Sequence, residues 1–445
     1  MKFGINNPAW LQSGSNIGNG TQFYLEALED SSVLTFNYPS YTEYSTDGVS
    51  YNNAPQTLSL NSGDRIYIKL TGEVTTSATD PSMMIATIDK GFAAGGEMPT
   101  LTINHTEWGK WSSVSFSGSR IVDASKLVIK QADATASVCF KECTSLIYPP
   151  QLPTKTLKDS AYSQMFYGCT SLKTIPELPA TYLARSSYYQ MFYGCTELVD
   201  LSNITINALK MENGTSSSSN PTGGVCEEMF RDCTNLKHPP KLQSNKVESF
   251  CYYNMFSGCT SLVEAPELPA IEVEESSYSC MFSGCTSLTY IPKLPAIRVR
   301  ARGYDYMFAE CTSLQEAPII QALYLDEYAL SCMFKDCVGL SYVPDLSVVT
   351  TDSYCFNEMF KGCVNLIIAP KITAEILYFD SCNYMFSGCS SLSSVTCLST
   401  YIMSSDGFYD WLSGVSVTGT FTKAAKAVWP TGSNGIPEGW IVIEQ

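Results

Sequence analysis

The 445 residues carry 43 Asp and Glu against 27 Lys and Arg, a formal charge of −16, and 44% of them are hydrophobic, 12% aromatic and 16% charged. That composition excludes a disordered chain, and an acidic balance without any Lys/Arg cluster excludes a grip on nucleic-acid phosphates. No run approaches the ~20 apolar residues of a bilayer span, so membrane insertion is not expected.

In chain order, "MKFGINNPAWLQSGSNIGNG" is rich in Asn and Gly and holds Trp10. It lacks the apolar core of a secretory signal, which predicts a chain not exported by that route. Residues 1–20 are expected to form an arm that packs on another protein. Residues 21–130 read as all-β. Asp47-Gly48 sits between alternating residues in "YTEYSTDGVSYN", a hairpin signal. "LSLNSGDRIYIKL" gives a second alternating pair around Asn61 to Asp64. "KLVIK" at 126–130 predicts a strand at the end of this region, and the region as a whole predicts a β-sandwich-like domain.

From there a motif repeats. Its phenylalanines are Phe140, Phe166, Phe192, Phe230, Phe256, Phe282, Phe308, Phe334, Phe360 and Phe386, 26 residues apart except for 38 between Phe192 and Phe230. The extra length falls near 201–224, in polar, Gly-containing sequence typical of a loop. Every unit has Cys three residues after its Phe and Leu six after it, and eight of ten have Pro ten after it. A fixed period of this kind marks a stacked repeat, and the strand at 126–130 leads into its first coil. Leu183, Tyr188, Met191, Phe192 and Cys195 suggest the apolar stripe of a short helix, and "CTSLKTIPEL" suggests a short extended segment whose pairing Pro cuts short. The predicted fold class is a mixed α/β repeat solenoid of ten 26-residue coils over 131–400, preceded by the all-β domain and closed by a cap at 401–445. Stacking is obligatory, because one coil buries too little to offset the ordering of its own backbone.

Units such as "YYNMFSGCTSLVEAPELPA" (252–270) and "YSCMFSGCTSLTYIPKLPA" (278–296) resemble the BspA-like leucine-rich-repeat surface proteins common in gut anaerobes and in the phages that infect them. The terminal "FTKAAKAVWPTGSNGIPEGWIVIEQ" resembles the segment that closes such arrays. The resemblance covers roughly residues 130–445 and implies a curved, leucine-rich-repeat-like solenoid used for adhesion or recognition.

The chemistry expected of the chain depends on its columns. One Cys per coil in one slot predicts a column of buried structural thiols, since parallel side chains suit the S–S torsion poorly. Of the other eight cysteines, Cys226 and Cys251 are the pair most able to bridge. There is no CxxC, and His105 and His238 are far apart in sequence, so no metal site is expected. No cofactor motif is present, no Ser or Cys has a recognisable base, and Glu274 and Glu275 read as solvated, so no catalytic residue is assigned. Eight residues after each Phe the sequence varies, and Tyr148, Asp200, His238, Glu264, Tyr290, Glu316 and Tyr342 become candidates for binding a bacterial surface glycan or protein receptor. The 201–224 loop is a second candidate. These readings favour a non-enzymatic phage virion fibre or receptor-binding protein, joined to other virion proteins through its arm, with homo-oligomers an open question. The alternative is a BspA-like adhesin, extracellular on the bacterial surface. A third class, a carbohydrate-active enzyme, would need two carboxylates facing each other across a groove.

Overall fold

The computed structural model describes residues 22–445 apart from 38, 72, 77–85, 99–101, 106–108, 113–114, 207–223, 379, 403–407 and 433. The expected arm and most of the 201–224 loop therefore lie outside the described residues. The chain divides into two compact units, one of residues 1–131, 138–153 and 169–177, the other of residues 132–137, 154–168 and 178–445.

The first unit contains β1 (Tyr24–Ala27), β2 (Ser32–Phe36), β3 (Thr42–Ser45), β4 (Asn52–Asn53), β5 (Thr57–Leu60), β6 (Arg65–Leu70), β7 (Glu73–Thr76), β8 (Ala86–Ile88), β9 (Phe92–Glu97), β10 (Thr102–His105), β11 (Gly109–Ser112) and β12 (Ile121–Val128). They form a six-stranded sheet in the order β12-β9-β1-β6-β3-β4 and two three-stranded sheets, β5-β2-β8 and β11-β10-β7. Alternate residues point inward: Leu25, Ala27, Leu34, Phe36, Ile66, Ile68, Phe92 and Ala94 are buried. The Asp47-Gly48 turn joins the antiparallel β3 and β4. Gly48 takes φ 72, and the Asp47 carboxylate accepts the N–H groups of Val49 and Ser50. The Asn61–Asp64 turn is present too, with Asp64 N–H bonded to the Asn61 carbonyl. Its flanking strands do not pair with each other, because β5 joins β2 while β6 joins β1 and β3; the turn is a corner between sheets.

β12 does more than lead into the repeats. Just ahead of it Phe116 stacks on Phe140 at 5.3 Å, and the N–H groups of Phe116 and Gly118 donate to the carbonyls of Cys139 and Lys141. Cys143 Sγ donates to the Phe116 carbonyl at 2.9 Å. Residues 116–131 thus occupy the place of a coil ahead of the first, with Ser119 where the motif has Cys.

The second unit corrects the mixed α/β assignment: among the described residues of the chain there is no α-helix, and helical geometry is confined to short 3-10 turns such as 39–41 and 134–136. The segment expected to be helical is a run of turns with a period of four. Along residues 161–169 burial alternates in pairs, with Ala161, Tyr162, Met165, Phe166 and Cys169 inside and Ser163, Gln164, Tyr167 and Gly168 half-exposed. Ser160, Gln164 and Gly168, every fourth residue, have φ of 57, 53 and 70. The backbone donors explain why no helix forms. The N–H groups of Ala161, Ser163, Met165 and Tyr167 each close a turn on the carbonyl three residues back. Those of Ser160, Tyr162, Gln164, Phe166 and Gly168 leave the coil and bond to Arg185, Ser187, Tyr189, Met191 and Tyr193 of the next. An α-helix keeps these donors within one segment; here half of them join neighbouring coils.

Left-handed φ at residues other than Gly costs of order 1–3 kcal/mol each, so the stack must impose it. It does so by the inter-coil bonds and by columns of buried side chains. Phe166, Phe192, Phe230, Phe256, Phe282, Phe308, Phe334, Phe360 and Phe386 stack at 5.3–5.6 Å with planes within 10°. Each is fully buried, which contributes roughly 1.5–3 kcal/mol per ring. Through most of the array the extended parts pair in two-residue steps: β13 (Thr156–Leu157) with β14 (Tyr182–Leu183), β15 (Thr205–Ile206) with β16 (Lys241–Leu242), and β17 (Glu272–Val273) with β18 (Arg298–Val299) and β19 (Tyr324–Leu325), all parallel.

The repeat also runs past its last recognisable Phe. Trp411, Leu412, Ser413, Gly414 and Val415 repeat the Met-Phe-x-Gly-Cys places 26 residues after Met385 and Phe386. The Phe386 N–H donates to the Trp411 carbonyl and Gly414 has φ 74. After β20 (Ile376–Leu377), β21 (Ser394–Cys397) and β22 (Tyr401–Ile402), this added coil supplies β23 (Thr420–Lys423), which pairs with β21 and with the final β24 (Ile441–Glu444). Trp411, Trp429, Phe408 and Phe421 cluster at this end with centroids 4.8–5.9 Å apart.

Candidate functional site

The cysteine column defines what the interior can do. In all ten repeats Sγ donates to the carbonyl of the Phe one coil back: Cys143 and Cys169 in the first unit at 2.9 and 3.0 Å, Cys195 to Cys389 in the second at 3.0–3.3 Å. None of the 18 cysteines is in a disulfide, Cys226 and Cys251 included. Burial pushes the thiols of Cys233, Cys337 and Cys389 up to about 12. A thiol that is buried, protonated and engaged as a donor is a packing group and a poor nucleophile.

The exterior carries the variable column. Backbone bridges set its members in register as doublets: Asp200 opposite His238, Glu264 opposite Tyr290, Glu316 opposite Tyr342, Ile368 opposite Ser394. Twelve residues after the Phe, bridges join two of the coil pairs that these doublets leave unlinked, Leu294 with Ile320 and Leu346 with Ile372. Six of the seven candidate residues are thus brought onto one strip of the second unit. Tyr148 lies in the first unit, bridged to Asp123 and half-exposed at 50%. Tyr290 and Tyr342 are 60% and 58% exposed, so their rings face solvent. His238 Nδ1 lies 2.9 Å from Glu264 Oε1. Asp200 is held below the usual carboxylate range by the hydroxyl and N–H of Ser202, and serves its own turn as well as the strip.

Other columns precede the Phe and vary in residue type along the stack, so no single recurring residue marks them in the sequence. Six residues before it, the Arg302 guanidinium lies 4.2 Å over Tyr328, Tyr328 stacks on Tyr354 at 4.6 Å, and the Tyr354 hydroxyl bonds to Asp380, raising its own pKa. Two residues before it, Gln164 donates to Gln190 and Gln190 to Glu228, both at 2.6 Å. These ladders tie coil to coil from outside. Glu274, one of the paired carboxylates, faces Arg300 at 4.0 Å, while Arg298 and Arg300 both reach Asp326. Among the described residues no group of His, Cys, Asp and Glu is placed to hold a metal, and no helix is long and apolar enough to cross a membrane.

Copies of the BspA type leucine rich repeat region, six in all, match residues 110–214, 133–264 and 224–366. No curated protein matches the chain. Among solved structures it is similar to a leucine-rich repeat protein from Bacteroides ovatus ATCC 8483, at 16% identity over 80% of this chain and 95% of that one, with a TM-score of 0.31. The matched repeats span more than half of the sequence and coincide with the coils that the Phe, Cys and Leu columns tie together, and the chain belongs to the BspA-type leucine-rich-repeat family.

Proposed function

We propose that this is a non-enzymatic recognition protein that presents the strip from Asp200 to Tyr342 to a receptor on a bacterial surface. The observation that carries this reading is the contrast between columns. Interior places repeat Met, Phe, Cys and Leu, while the in-register exterior place changes from coil to coil and leaves two tyrosine rings more than half exposed. Rigid scaffolds that vary only at exposed places suit binding. The finer reading is a virion protein, a phage fibre or receptor-binding protein. It is supported by the thiol column, because a donor Sγ–H at every coil requires the reduced state, and a protein assembled in the cytosol meets that state. The other reading, an adhesin on the bacterial cell, draws on the family resemblance alone.

Two measurements test this. Fluorescently labelled protein is expected to bind candidate host cells, with binding lost on replacing Tyr290 and Tyr342 by Ala; undiminished binding by that variant refutes the strip. Immunogold labelling of particles is expected at the tail or capsid, and label confined to bacterial cells refutes the virion reading.

A further inference from the structure

We infer that the strip binds one extended, neutral, β-linked pyranose glycan laid along the stack across coils five to eight. The inference rests on the proposed recognition function and names its ligand class. Its basis is a repeat within the repeat. Glu264 pairs with Tyr290, and Glu316 with Tyr342, so an acceptor carboxylate followed by an open ring recurs every 52 residues, that is every second coil. Hydrogen-bonded strands lie about 4.8 Å apart, which makes the surface period roughly 10 Å. The backbone bridges alternate with the same period of two coils.

A ligand that fits must be linear, repeat at that interval, offer an apolar face to each ring and hydroxyls to each carboxylate. An extended β-linked pyranose chain advances about one sugar per coil and turns its face over at each linkage, so every second sugar presents the same side. One sugar then stacks on Tyr290 and the next but one on Tyr342, while the sugar between them brings hydroxyls to Glu316 and the one preceding Tyr290 brings them to Glu264. Neighbouring polar groups seven residues after the Phe, Thr289, Gln315 and Ser341, are exposed beside them. An extended polypeptide strand repeats its facing side every ~6.6 Å and falls out of step within one doublet. The charge is selective as well: Glu264 and Glu316 disfavour uronic, sialic or phosphate-bearing polymers. The tyrosines are exposed before binding, so they offer flat contact area with few torsions to freeze.

Calorimetric titration of the full chain with cello- and chito-oligosaccharides, from the disaccharides to cellohexaose and chitohexaose, tests the proposal, with maltohexaose and a polygalacturonate oligomer as comparators. Affinity is expected to rise from disaccharide to tetrasaccharide and then level off, and the comparators are expected not to bind. Tyr290→Ala and Tyr342→Ala are each expected to lose about tenfold, with Tyr290→Phe and Tyr342→Phe retaining affinity because the ring is kept. Circular dichroism would verify that each variant is folded. Absence of binding by both hexasaccharides, equal affinity for maltohexaose, or full affinity in the Ala variants overturns the proposal. If neither hexasaccharide binds while labelled protein still loses host-cell binding in the Ala variants, the glycan falls and the recognition strip stands. If host-cell binding is unchanged in those variants, the strip itself falls.

Discussion

Asp305 gives a test of how tightly the stack controls its interior. It stands three residues before Phe308, where the flanking coils have Ser279 and Ser331, and like them it is buried. Its Oδ2 lies 3.3 Å from Arg302 Nη1 and its Oδ1 is buried without a partner. Burial raises its pKa from 3.8 to about 6, with Arg302 and Ser331 opposing. At 1.36 kcal/mol per unit this is a penalty of about 3 kcal/mol on the ionised form. The folded state holds the proton more tightly than the unfolded one. The penalty is therefore absent below about pH 4, grows between 4 and 6, and is complete above 6. Asp305→Ser should match the wild type at pH 4 and stabilise by up to about 3 kcal/mol at pH 7.5. A repeat array does not unfold as a single two-state unit, so the assay is amide hydrogen exchange of the coils around Asp305, variant against wild type at each pH. An equal difference at both values, or a less protected variant at pH 7.5, would refute the reasoning.

Three further outcomes are expected from the same geometry. Cys285→Ser keeps the donor to the Phe256 carbonyl and should cost less than about 1 kcal/mol, whereas Cys285→Ala loses the bond and leaves a void, about 2 kcal/mol in the amide-exchange protection of the surrounding coils. Gly362 has φ 78, and a Cβ there would lie 2.1 Å from Asp336 Oδ1. Gly362→Ala should destabilise by about 1–3 kcal/mol and be partly rescued by Asp336→Gly, a coupling that a double-mutant cycle would measure. In a thiol-reagent titration, Cys280, the one cysteine that is partly exposed, should react first but slowly, because burial raises its pKa to about 11, and the others only after unfolding.

Most of the array was legible because its columns are simple: Phe, Cys and Leu recur at fixed offsets, and each column is buried as expected. The error lay in the period. Leu183, Tyr188, Met191, Phe192 and Cys195 fall at offsets 0, 5, 8, 9 and 12, which sit on two adjacent places of a four-residue cycle better than on a 3.6-residue helix. That cycle needs a left-handed residue every fourth position, and Gln190, Cys280 and Tyr306 take it although none advertises it as Gly does. No local preference predicts this, because the bonds that impose it come from coils 26 residues away. The two extra coils were hidden for another reason: Ser119 and Val415 stand in the Cys place, and Leu412 in the Phe place, so composition changed while backbone geometry did not. The strip shows in its variability after the Phe, whereas the Arg302–Tyr328–Tyr354–Asp380 ladder is not legible because its members are not of one residue type and meet only through the stacking of coils 26 residues apart.

The donors that leave each coil have a consequence for how such proteins change over generations. Every coil offers its neighbour the same row of N–H and C=O groups, and the same Phe ring and Phe carbonyl. Any coil can succeed any other without a new junction having to be found. Whole coils can be gained, lost or shuffled by recombination in units of 78 nucleotides, three per residue over the 26-residue period. The 12-residue insertion between Phe192 and Phe230 interrupts the spacing but not the stack, since Phe192 and Phe230 still lie 5.4 Å apart. The exposed column thus behaves as a line of text on an interchangeable frame, in which a single exchange alters the reach and the wording of the surface together.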